Sequence, residues 1–120
     1  MDPRHERRIE LLQNLFAWTF TPQTLERALE SQTGDSLTLL QSLDEIDAKI
    51  KAAAPERPLS EVNKVDLAVL RLILFEASHT KTPKKVLIDE AIELAKEFGS
   101  DSSSKFVNGV LAKLLLETAE

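Results

Sequence analysis

The chain has 120 residues, a net charge of −5 and no cysteine. That length suits one domain, residues 1–120, able to bury a core without metal or disulfide, and the missing thiols exclude cysteine nucleophiles and cysteine-held zinc or iron–sulfur clusters. The acidic balance argues against a coat protein held to nucleic acid by bulk charge, and no apolar run approaches the ~20 residues of a membrane span, so a cytoplasmic protein without membrane contact is expected.

Charge is unevenly placed: residues 21–63 carry four bases against eight acids, while 1–20 carry three of each. A local basic patch is therefore available at the amino terminus. Ile9, Leu12, Leu15 and Phe16, with Leu11 and Trp18 beside them, recur at helical spacing and predict a first helix over 3–19. Arg4, Arg7 and Arg8 stand at its start, suited to phosphates or to stacking on bases. Arginines at a helix end are more often simply solvated, and Glu6 and Glu10 are interspersed among these. Thr21-Pro22 breaks the helix and opens a second one to about residue 31. After a turn at 33–36, Leu39, Leu40, Leu43, Ile46 and Ile50 line a third helix ending before Pro55, and 55–58 form a stiff connection.

Ser60 is placed to cap a helix through about residue 78 in which Val62, Val65, Leu67, Val69, Leu70, Leu72, Ile73, Leu74 and Phe75 leave almost no polar stripe. Such a helix is a central one. Arg71 and Glu76 interrupt it, five apart, so each needs its own partner. A polar linker at 80–83 leads to a helix carrying Ile88, Ala91, Ile92, Ala95 and Phe98 and stopped by Gly99. Asp89, Glu90, Glu93 and Glu97 line it. Neither of the chain's histidines, His5 and His79, stands near them in sequence, so a solvated acidic face and no metal site are expected.

The last helix opens in Ser102-Ser103-Ser104 and continues Lys105-Phe106-Val107-Asn108-Gly109. A helix amino terminus exposes unpaired N–H groups and partial positive charge, so it can receive a phosphate. Ser102 and Ser104 add hydroxyls and Lys105 a mobile cation. Phe106 either stacks on an unpaired base or joins Val107, Val110, Leu111 and Leu114 in the core. Gly109 costs about 1 kcal/mol against alanine, which predicts a close helix crossing there. There is no glycine-rich phosphate loop and no nucleophile motif, so no catalytic residue, cofactor or enzyme activity is expected. The fold reading is all-α, six or seven helices around residues 62–77.

The run E-A-I-E-L-A-K-E-F-G at 90–99, followed by K-F-V-N-G-V-L at 105–111, resembles the carboxyl-terminal signature of the NusB family of transcription antitermination factors. Residues 65–76 and 83–96 are similar to further family blocks, and 7–18 more loosely so; the middle, 21–58, looks shorter than usual. The resemblance implies two packed helical subdomains around the central apolar helix. It implies binding of boxA-type single-stranded rRNA leader RNA together with NusE, a small-subunit ribosomal protein, within the transcription elongation complex. Premature termination by RNA polymerase would thereby be suppressed. By position, Arg4, Arg7, Arg8, Lys105 and Phe106 would face RNA with Ser102 and Ser104 near phosphate, and Phe16, Glu61 and Asp66 would lie near the protein partner. Some relatives form homodimers, so self-association is within the family's range. The competing reading is a non-catalytic helical protein-interaction module without an RNA role.

Overall fold

The computed structural model describes residues 2–117. They form seven α-helices: α1 Pro3–Trp18, α2 Pro22–Ser31, α3 Gly34–Gln41, α4 Leu43–Ala53, α5 Lys64–His79, α6 Lys84–Phe98 and α7 Ser103–Leu111. A 3₁₀ turn spans Leu59–Glu61 and a π-helical turn Ala112–Glu117. This is the all-α fold expected. None of the described helices is long and apolar enough to cross a membrane.

A helix apolar on nearly every side has to be covered on every side, and α5 is. Every residue from Asp66 to Phe75 except Arg71 is buried. Helices α1, α4, α6 and α7 all lie against it. The first four helices pack as neighbours along the chain, and α5, α6 and α7 pack mutually, so two helical groups meet on α5. Arg71 and Glu76 of this helix are each held by a different helix. Arg71 forks onto Asp47 of α4 at 2.8 and 2.7 Å, and Glu76 receives Arg8 of α1.

Local chemistry sets the boundaries. The Asp2 side chain accepts the Arg4 N–H at 2.9 Å and caps α1, and Thr21 and Thr24 form a reciprocal capping box at α2. The cap of α5 is Asn63, whose Oδ1 accepts from the Val65 and Asp66 amides, in place of the expected Ser60, which lies in the 3₁₀ turn. The single third helix expected from its apolar spacing is broken at Ser42 into α3 and α4. Thr38 and Ser42 donate their hydroxyls to the carbonyls four residues back, at 3.1 and 2.7 Å, a bond that bends helices. At the α6–α7 corner, a Cβ on Gly99 would stand 2.7 Å from the Ala95 carbonyl and collide with Ser103, so only glycine fits. Gly109 is a correction: it is exposed and a Cβ there would meet nothing within 4 Å, so no helix crosses at that point.

Candidate nucleic-acid interface

The three amino-terminal arginines do not share one environment. Arg4 and Arg7 are exposed, whereas Arg8 is buried. Successive helical residues turn by about 100°, and that step carries Arg8 from the surface onto α5. There its Nε and Nη2 donate to Glu76 at 2.9 and 2.7 Å, and its Nη1 stands 3.6 Å from Glu90. The hydrogen bonds to Glu76 raise its pKa against the opposing effect of burial, so the guanidinium is permanently charged. Its charge is already paired inside the fold, and Arg8 holds α1 in place rather than presenting a free cation.

Arg4 and Arg7 open with Arg8 on a cleft of about 420 Å³ where α1 meets the carboxyl end of α5. His79, Thr80 and Thr82 line it as polar groups, Leu11, Leu72 and Phe75 as apolar wall, and Asp35 as an opposing carboxylate. His79 stacks on Phe75 with ring centroids 4.1 Å apart. Guanidiniums beside hydroxyls and an exposed aromatic ring suit phosphate and a splayed base together. Sequence reasoning did not place His79 or Thr80 here, because only the packing of α1 on α5 joins them.

At the other cluster, Lys105 and Ser102 are exposed and Ser104 is half-buried. Ser102 makes no side-chain capping bond. The buried serine is Ser103, whose Oγ accepts the Ser100 N–H at 2.8 Å and fixes the corner. Phe106 is half-buried against the core, and the Arg57 guanidinium lies over its ring, 4.4 Å from the centroid. The ring is therefore neither sealed inside nor bare: it carries a cation on one face. Arg57 comes from the α4–α5 connection and no local pattern marked it.

No hydrogen bond, ion pair or ring contact among the described residues joins Arg4 or Arg7 to Lys105 or Phe106. The link between the two clusters runs through His5. This residue, next to Arg4, places its Nδ1 2.8 Å from Glu90 and 3.9 Å from Glu93, and its Nε2 3.8 Å from Glu97 in the last turn of α6. From that turn the chain passes through the Gly99 corner into α7. The Glu90 hydrogen bond raises the His5 pKa above 6.5, with the three carboxylates adding to it and burial opposing.

Of the residues placed near a protein partner, Phe16 and Glu61 reach the surface and Asp66 does not. Phe16 lines a groove of about 270 Å³ with Phe20, Leu59, Val62 and Lys64. Phe20 is nearly half exposed, its ring 5.5 Å from that of Phe16 and covered by the Lys64 ammonium at 4.1 Å. Asp66 sits buried in the first turn of α5, where the helix dipole favours a carboxylate. Its Oδ1 has no hydrogen-bond partner among the described residues. Asp66 is therefore not presented at the surface.

Comparison with known proteins covers almost the whole of this framework. The pattern of the NusB family matches residues 5–115. A transcription antitermination protein NusB of Lysinibacillus sphaericus is 41% identical, over 92% of this chain and 94% of its own. One from Chloroflexus aggregans is 40% identical, over 93% and 86%. The solved structure of T. maritima NusB superposes with a TM-score of 0.76 at 33% identity, covering 94% of this chain and 90% of that one.

Proposed function

The chain belongs to the NusB family, and from that premise we propose that it is a transcription antitermination factor. It binds boxA-type single-stranded rRNA leader RNA together with NusE, and as part of the elongation complex in the cytoplasm it suppresses premature termination by RNA polymerase. The observation that carries this reading is the family match along residues 5–115, in a chain whose Lys105 and Phe106 remain accessible at the α7 tip. The role is one of binding, without a catalytic step.

In this reading Arg4, Arg7 and Lys105 meet phosphates, Phe106 under Arg57 offers a stacking platform, and Ser102 and Ser104 stand beside the entering backbone. Arg8 acts indirectly, by fixing α1. Specificity comes from unstacked bases rather than a duplex groove. The protein partner takes the Phe16–Glu61 face, extended by Phe20 and Lys64, with Asp66 buried rather than presented. Because the chain carries a net charge of −5, long-range attraction to RNA is weak, and a basic partner raises affinity by presenting both surfaces at once.

The test is fluorescence anisotropy with a labelled boxA-type oligomer and a scrambled control, with and without NusE. Preferential binding of the boxA-type oligomer, strengthened by NusE and largely lost in K105A/F106A with an intact circular dichroism spectrum, is the expected result. Equal binding of both oligomers, or full binding by K105A/F106A, would favour the module without an RNA role.

A further inference from the structure

The four carboxylates of α6 lacked a histidine in sequence, and the fold supplies one. We infer that His5, Glu90 and Glu93 form a binding site for a divalent metal ion of the zinc class at the α1–α6 junction, with Glu97 behind the histidine. Their ligand atoms lie within 4.8 Å of one another. Around a tetrahedral ion with bonds of roughly 2.0–2.1 Å, ligand atoms stand about 3.4 Å apart. The His5 Nδ1 distances to Glu90 and Glu93, 2.8 and 3.9 Å, bracket that spacing. Glu90 and Glu93 are an i, i+3 pair on one helix and His5 approaches from another, so small rotamer changes close the set.

Two further features point to a cation. The second ring nitrogen of His5, Nε2, faces Glu97 at 3.8 Å, beyond hydrogen-bond length but on the side where a small approach gives the carboxylate-behind-histidine arrangement that orients metal-bound imidazoles. The local charge is also unbalanced. Three carboxylates surround one imidazole; Arg8, forked onto Glu76, also stands 3.6 Å from Glu90, and with Glu76 offsetting that guanidinium the cluster keeps a net negative charge when His5 is neutral. Access is open on one side: His5 and Glu90 are mostly buried at 18% and 16% side-chain exposure, whereas Glu93 and Glu97 are 67% and 51% exposed. A mixed imidazole–carboxylate set suits zinc, nickel or cobalt, whereas magnesium and calcium prefer oxygen alone. The bound ion pins the first turns of α1 to α6, beside Arg4 and Arg7. That consequence for RNA rests on the function proposed above; the site itself does not.

The experiment uses the full chain, stripped with chelator and carrying no histidine tag, titrated with zinc by calorimetry and with cobalt by visible absorption. Saturable uptake of a single ion is expected, weakened at least about tenfold in both H5Q and E93Q and unchanged in H79Q. E93Q alters an exposed residue and leaves the His5–Glu90 bond in place, so it stays informative if H5Q fails to fold. Absence of uptake by wild type, uptake that persists at full strength in E93Q, or loss in H79Q overturns the site. None of these readouts involves RNA, so the site and the antitermination role stand or fall separately.

Discussion

Gly99 and Gly109 should respond to alanine in opposite ways. At Gly99 a Cβ meets the Ala95 carbonyl and Ser103, so Gly99→Ala should destabilise by about 1–3 kcal/mol through overpacking. Gly109 lies inside α7 with open space around it, and Gly109→Ala should stabilise by up to about 1 kcal/mol. Urea unfolding midpoints at constant slope measure both. His5 gives the pH counterpart. Its pKa is raised above 6.5 in the folded chain, first by the Glu90 hydrogen bond, then by the charges of Glu90, Glu93 and Glu97, with burial opposing. A raised pKa means that the protonated form favours folding: the gain is complete below about pH 6.5 and disappears as pH rises through the folded value. With chelator present, wild type should therefore lose stability relative to H5Q as pH rises above about 6.5. Parallel curves for the two proteins would remove His5 from the account.

Two charged forks tie helices to the central one within a largely apolar core. Arg8–Glu76 ties α1 to α5, and Arg71–Asp47 ties α4 to the same helix. Breaking a buried pair by removing one member leaves an uncompensated charge at a cost of roughly 3–5 kcal/mol. These carboxylates keep some exposure, so Glu76→Ala and Asp47→Ala should each destabilise by about 2–3 kcal/mol, less than a fully buried pair. Replacing both members of the first fork with apolar residues, as in R8M/E76L, should recover most of that loss, because such replacements are often neutral. Thermal unfolding of the single and double variants decides it; a double variant as weak as E76A would mean that the fork sets geometry no apolar pair reproduces.

For the molecule as a whole, the separation of Arg8 from Arg4 and Arg7 makes a distinction that binding can read. If Arg4 and Arg7 meet phosphate, R4A/R7A should flatten the salt dependence of RNA affinity, by about 0.7 in slope for each phosphate of a single strand left without its cation. R8M/E76L should leave that slope unchanged. Phe106→Ala should cost roughly 1–3 kcal/mol of binding at every salt concentration, as removal of a stacking platform does. Anisotropy titrations between low and physiological salt, with the partner present, separate the three. An identical slope for wild type and R4A/R7A would move the phosphate-binding groups elsewhere on the surface.

Periodicity alone determined the all-α class, the central position of α5 and the need of Arg71 and Glu76 for separate partners, because apolar spacing and the cost of burying charge are local properties of the chain. The K-F-V-N-G block likewise carried the family likeness in its own residues. Tertiary structure decided the rest. Which arginine stays free depends on how α1 is rotated against α5, so Arg8 looked like Arg7 until Glu76 was seen opposite it. Ser42 breaks a helix whose apolar stripe runs on undisturbed, since hydroxyl back-bonding leaves no mark on hydrophobic spacing. Arg57 reaches Phe106, and His5 reaches Glu90, across distances in sequence that no window spans. Contacts between remote segments exist only once the helices have packed, and both the aromatic–guanidinium platform and the histidine–carboxylate cluster are contacts of that kind.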